Sequence, residues 1–315
     1  MQFTQIPPDY SSLGGGARYT FEADETADRD FRIAEAGTDR LLGIKRFRNT
    51  AAAVFDIAPY LRDRFRFEPG GGPTGFANAD GRCVAATVAT DGATAAVRTF
   101  LRGTAEAGAP ALRTSQPHAR LLGHDECDEI TLVTTAPCTA AVTVRSGGTV
   151  SRTDFADSGT GVRLFRLDAA DFPGAETIAV AFEGIGRIEY RIVERPAEAR
   201  RVAWIGRAGS IEHYTFPVVK AEEVRVAKRR IYGDEGYRTV RCESERLLTL
   251  QSAYETPAAA EALAELLEAP QAWIAGTDGT YGEADILSDR AAFRRHGTLC
   301  CLEIAIRSTR KLRDR

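Results

Sequence analysis

Short runs in which apolar and polar residues strictly alternate recur along this chain, each closed by Gly, Asp or Pro. In Ala141–Arg145, Val142 and Val144 share one parity, Thr143 and Arg145 the other. In Arg187–Val193, Ile188, Tyr190 and Ile192 alternate with Glu189 and Arg191. A period of two places one set of side chains on a buried face and the other in water, the pattern of antiparallel sandwiches. The runs predict strands at Ala17–Glu22, Asp30–Glu35, Arg40–Arg48, Ala52–Ile57, Val84–Thr90, Ala95–Leu101, Glu129–Thr134, Thr139–Arg145, Val150–Phe155, Val162–Leu167, Thr177–Phe182 and Arg187–Val193. Strands about 8–12 residues apart with turn signals between them read as sandwiches or barrels.

The predicted fold class is therefore mainly β: tandem antiparallel β-sandwich domains, with one helix in the C-terminal β-rich domain. That helix is Ala258–Glu268, which follows an N-cap at Thr256 and Pro257 in its first turn and is stopped by Pro270. Its apolar face is Ala259, Ala262, Leu263, Leu266 and Leu267. A strand at Ala272–Ala275 and a turn at Thr277–Gly279 follow, and the chain then runs through Ala284–Leu287 to a last strand, Leu299–Ile306. Small, polar stretches at Gly103–Gln116 and Glu194–Arg200 read as linkers. They divide the chain into an N-terminal β-domain (1–115), a middle β-sandwich (116–198) and a C-terminal β-rich domain (199–315). Pro69–Gly75 reads as a flexible loop inside the first of these.

A net charge of −3 over 315 residues is too balanced for a chain whose main partner is a nucleic acid. No apolar run reaches the ~18–20 residues of a membrane span. Met1–Gly16 carries neither the basic nor the apolar region of a signal peptide, so synthesis in the cytoplasm is expected. Cys83, Cys127, Cys138, Cys242, Cys300 and Cys301 form no C-x-x-C pair and read as reduced, small core residues.

No constellation carries an assignable chemistry, and no catalytic, cofactor-binding or metal-ligating residue is assigned. Gly14–Gly16 and Gly70–Gly72 lack the lysine and the helix of a phosphate loop. Gly123–Glu129 (GHDECDE) is the densest set of oxygen ligands, but its spacing is not that of an EF-hand. It reads as a solvated acidic turn. His118, His124, His213 and His296 form no i, i+4 pair, and Ser210 precedes a strand, Ile211–Phe216, rather than a helix. The tail from Arg307 holds Arg307, Arg310, Lys311, Arg313 and Arg315 against Asp314, and reads as a solvated terminus or a docking arm. Trp204, Tyr214 and Phe216 read as hairpin core or as a binding platform.

The order Trp204, Gly209–Pro217 (GSIEHYTFP), then a charged strand into Arg230–Gly233, resembles prophage-encoded tail structural proteins, distal-tail-like components of a tail tip or baseplate. The likeness continues through Leu248–Leu250, Ser252, Tyr254, the helix end Glu265–Leu267, Ala269-Pro270 and Trp273-Ile274, with Ala269 where the family commonly has Ser. Phe55–Leu61 (FDIAPYL) resembles a feature of the first domain of such proteins. The resemblance covers mainly residues 200–307. It implies a non-enzymatic virion protein, made in the bacterial cytoplasm, which forms a homo-oligomer and binds other tail or baseplate proteins, with no cofactor. An adhesin-type or carbohydrate-binding multi-sandwich protein is the competing expectation, with a host-surface glycan as partner. Its platform candidates are Trp204, Tyr214, Tyr232, Tyr237, Trp273 and Tyr281. A hydrolase or lyase would need His124, His213 and His296 or paired carboxylates to converge.

Overall fold

The computed structural model describes residues 1–105, 108–276 and 279–308. Thr277 and Asp278 of the expected turn lie outside these residues, as does the tail beyond Ser308. The fold is mainly β, in tandem antiparallel layers, as the alternation predicts.

The N-terminal unit runs β1 (Gln2–Gln5), β2 (Ser11–Ser12), β3 (Arg18–Glu35), β4 (Leu41–Asp56), a short helix α1 (Ala58–Leu61), β5 (Gly75–Ala77), β6 (Cys83–Thr90), β7 (Ala93–Thr94) and β8 (Arg98–Leu101). All its strands except β5 form one seven-stranded sheet. The four short strands expected between residues 17 and 57 are two long ones. The polar stretch between Glu22 and Arg29 slips the β3–β4 register instead of ending the strand. Asp56 starts α1: its Oδ1 accepts from the amides of Ala17 and Ala58, each at 2.8 Å.

The middle unit contains β9 (Ala111–Arg113), β10 (Ala119–Gly123), β11 (Cys127–Thr134), β12 (Cys138–Ser146), β13 (Thr149–Asp157), β14 (Gly161–Asp168), β15 (Thr177–Phe182) and β16 (Gly186–Val193). Its two sheets have the orders β10-β16-β15-β12-β13 and β5-β14-β11-β9. Between them lies a core built around Ile130, Leu132, Val142, Phe165, Val180 and Phe182. Two sequence expectations need correction here. The Gly-rich loop before β5 does not stay in the first domain, because β5 pairs with β14. The expected linker Gly103–Gln116 contains β9, which pairs with β11, and Arg113, which is buried. Local composition marks both stretches as loops; long-range pairing gives them structure.

The C-terminal unit runs β17 (Arg200–Ile205), β18 (Ile211–Phe216), β19 (Val218–Gly233), β20 (Gly236–Gln251), helix α2 (Pro257–Ala264), β21 (Ala272–Ala275), β22 (Tyr281–Ile286), β23 (Phe293–His296) and β24 (Leu299–Ser308). These strands form an eight-stranded sheet. Thr256 caps α2, its Oγ1 accepting from Ala259 N at 3.3 Å, and a 3-10 turn carries the helix on to Glu268. Leu263 and Leu266 pack on Val202, Trp204, Leu250 and Ile304. The units share cores: Ala203, Ile205 and Trp273 join the N-terminal cluster around Phe31 and Phe55. Gly209, at φ +78°, lets its turn approach the first unit so closely that a Cβ there would lie 1.8 Å from Arg102 O.

Candidate functional site

Two features define the candidate site: a buried ionic cluster where all three units meet, and a hairpin that leaves the body of the protein. The cluster begins in the Gly123–Glu129 segment. That stretch is not a solvated turn, because Glu126, Asp128 and Glu129 are all buried. Each meets a guanidinium. Arg201 Nη1 donates to Glu126 Oε2 at 3.0 Å, Arg120 Nη1 to Asp128 Oδ2 at 2.9 Å, and Arg82 Nη2 to Glu129 Oε2 at 3.0 Å. Exposed Asp125 holds Arg195 at 2.7 Å. Glu212, on β18, joins through Ser210 Oγ and Thr114 Oγ1, which donate to it at 2.6 and 2.9 Å. The Arg82, Arg120 and Arg201 partners arrive from three different units, so the cluster ties the layers together.

Alternation explains why these carboxylates are inside. Asp128 and Glu129 are neighbours on β11 and point to opposite faces, and each finds its own arginine there. Burial opposes ionisation of Asp128, but the nearby His213 imidazole and the charges of Arg120 and Arg201 outweigh it. They hold the Asp128 carboxyl well below the usual range. Burial of Glu129 outweighs Arg82 and pushes its carboxyl up to about 7. Burial, with repulsion from Arg201 and Arg120, lowers the pKa of the His213 imidazole against the opposing pull of Asp128.

His213 Nδ1 lies 3.1 Å from Asp128 Oδ1, and Tyr190 OH donates to Asp128 Oδ2 at 2.8 Å. The contact is a close approach: both ring nitrogens and Asp128 Oδ1 are buried, with no hydrogen-bond partner among the described residues. Tyr281 lies beside the ring, 5.9 Å between centroids. The other histidines do not converge on it. His124 is exposed, 3.7 Å from Glu194; His296 is exposed beside Tyr254; His118 is on the loop before β10 and accepts the Glu189 amide through its carbonyl. Ser210 precedes β18, as read from sequence. Gly14 sits in a 3-10 turn and donates to Gly103 O, while Gly70–Gly72 lie in the loop before β5. Among the described residues no group of three or more His, Cys, Asp or Glu side chains is placed to hold a metal ion. No helix among them is long and apolar enough to cross a membrane.

The second feature is the β19–β20 hairpin. β20 pairs with β24 only over Leu247–Gln251. From there to the turn at residues 234 and 235 the two strands pair only with each other among the described residues. About ten residues per strand at ~3.3 Å each make an arm of roughly 33 Å. Val224, Val226, Ile231, Tyr232, Tyr237 and Val240 are all exposed on it. Tyr232 and Tyr237 face one another across the tip, 5.1 Å between ring centroids. Lys228, Arg229, Arg230, Arg238 and Arg241 interleave with them. A two-stranded ribbon is marginal alone in water. Apolar residues on both of its strands therefore call for a cover, while the arginines keep the uncovered edges from pairing at random. A second free edge is β4, whose sixteen residues pair only with β3 and expose Leu41 and Val54. The charged strand expected to run into Arg230–Gly233 is β19; its partner β20 carries no strand signal before Leu248, because the arm buries neither face.

The aromatic candidates divide. Trp204 and Trp273 are buried, Tyr214 and Tyr281 half-buried, and only Tyr232 and Tyr237 are exposed. Of the basic tail, Arg307 is described, and it binds Glu245 and Asp285 on β20 and β22; Arg310, Lys311, Arg313 and Arg315 lie outside the described residues.

No family model and no curated protein matches this chain. Among solved structures, a chain in the complex of Dpr2 Ig1-Ig2 with DIP-Theta Ig1-Ig3 aligns with 97% of this chain and 89% of its own length, at 9% identity and a TM-score of 0.18. At that score the likeness carries no argument about fold or function.

Proposed function

We propose that this chain is a non-enzymatic structural component of a phage or prophage-like tail, at the tail tip or baseplate. It works by self-association and by binding other tail proteins, and it is made in the bacterial cytoplasm and resides in the virion. The observation that carries this reading is the free β19–β20 arm, whose Val, Ile and Tyr side chains are exposed among the described residues. A neighbouring subunit that covers the arm removes that apolar surface from water, at about 25 cal/mol per Å². The likeness of residues 200–307 to tail proteins supports the same reading. The carbohydrate-platform alternative loses most of its aromatic basis, because both tryptophans are core residues.

The test is to image phage-like particles from the producing cell with an antibody against this chain. Label at the tail end supports the proposal. A chain found only free in the cytosol, with no particle labelled, overturns it.

A further inference from the structure

A groove of about 670 Å³ runs between the outer face of the β10-β16-β15-β12-β13 sheet and the wall formed by Tyr214 and Leu263 of the C-terminal unit. Its floor is laid out by register. Arg145, Thr177 and Arg191 stand in one row across β12, β15 and β16, and Thr143, Ala179 and Glu189 stand in the next. The two arginines are two strand spacings apart, about 10 Å. Both are exposed, and neither has a carboxylate partner among the described residues, unlike the other arginines of the sheet's outer face, Arg187 on Glu189 and Arg152 on Asp154. Between them stands Thr177, and Glu189 in the next row is taken by Arg187.

We propose that this groove binds an acidic oligosaccharide, with two carboxylates spaced to meet Arg145 and Arg191. Guanidinium forks take carboxylates in bidentate pairs, which fixes the chemistry to an anion. The floor favours a saccharide over an acidic peptide. β12, β15 and β16 are each paired on both sides, so the floor offers no backbone groups. An extended peptide laid there would leave its own amides unpaired on the sheet side. A uronic-acid chain turns hydroxyls to Thr143 and Thr177 and to water. The site lies on the middle sandwich, off the arm, and its test is separate from the assembly reading.

The experiment is calorimetric titration of the full chain, at low salt, with tetragalacturonate, maltotetraose and tetraglutamate. The variant is Arg145→Ala/Arg191→Ala, whose exposed positions leave the fold intact by circular dichroism and melting. Tetragalacturonate is expected to bind, to weaken as salt rises, and to lose at least about tenfold in the double variant; maltotetraose is expected not to bind. No heat from tetragalacturonate at about 1 mM, or equal affinity for the variant, overturns the site. Tetraglutamate binding as tightly as the sugar overturns the saccharide assignment.

Discussion

Replacing Arg201 by Ala removes a cation that faces two carboxylates of the buried cluster. Its Nη1 donates to Glu126 Oε2 and Thr215 Oγ1, both at 3.0 Å, and its Nη2 donates to Cys127 O and lies 3.8 Å from Asp128 Oδ1. Breaking a buried pair from one side costs about 3–5 kcal/mol, because the partner stays buried and uncompensated. Here the loss falls near the lower end. Glu126 keeps Thr215 Oγ1, Gly123 N and a 3.5 Å contact with Arg195, and Asp128 keeps Arg120 and Tyr190. The expected cost is therefore about 3 kcal/mol. The assay is urea unfolding followed by tryptophan fluorescence, since Trp204 is fully buried on β17, the strand that carries Arg201. Arg48→Ala is the control: it breaks an exposed 3.0 Å pair with Asp28 and is expected to cost under about 1 kcal/mol. Equal losses for the two variants would refute the claim that the cluster locks the units together.

Glu129 gives a pH signature. Its carboxyl is raised to about 7 in the folded chain against an ordinary value of 4.5. The folded state thus binds more protons between those values, and this group's contribution to stability falls as pH rises from 4.5 to 7. Relative to Glu129→Gln, the wild type should lose up to about 3 kcal/mol between pH 4.5 and pH 8 in parallel urea titrations; a constant difference across that range would contradict the assignment. Gly209→Ala should cost about 2 kcal/mol or more, because it puts a Cβ against Arg102 O and a side chain at φ +78°; an unchanged melting temperature would show that the turn relaxes freely.

The strands with one wet and one buried face, such as β12 and β16, are plain in the sequence because alternation is a local record of a two-sided environment. The cap at Thr256 and the apolar stripe of α2 are equally local. The ionic cluster is illegible for the opposite reason. Asp128 and Glu129 look like solvent-facing acids until Arg120, Arg201 and Arg82 are brought to them, and Arg201 is more than seventy residues away in the chain. The bulged stretch of β3 mimics a loop, since charged residues that interrupt a register and charged residues that leave a sheet have the same composition. Of the arm, the charged strand into Arg230–Gly233 is legible and the outer part of β20 is not: a ribbon wet on both sides leaves no apolar stripe to read.

Native mass spectrometry of the full chain, beside a variant with Ile231→Lys, Tyr232→Ser and Tyr237→Ser, tests the assembly account most directly. All three positions are exposed, so the variant keeps its unfolding midpoint. The account predicts a discrete wild-type oligomer and a monomeric variant. A wild type that stays monomeric at high concentration, or a variant that assembles equally well, contradicts it.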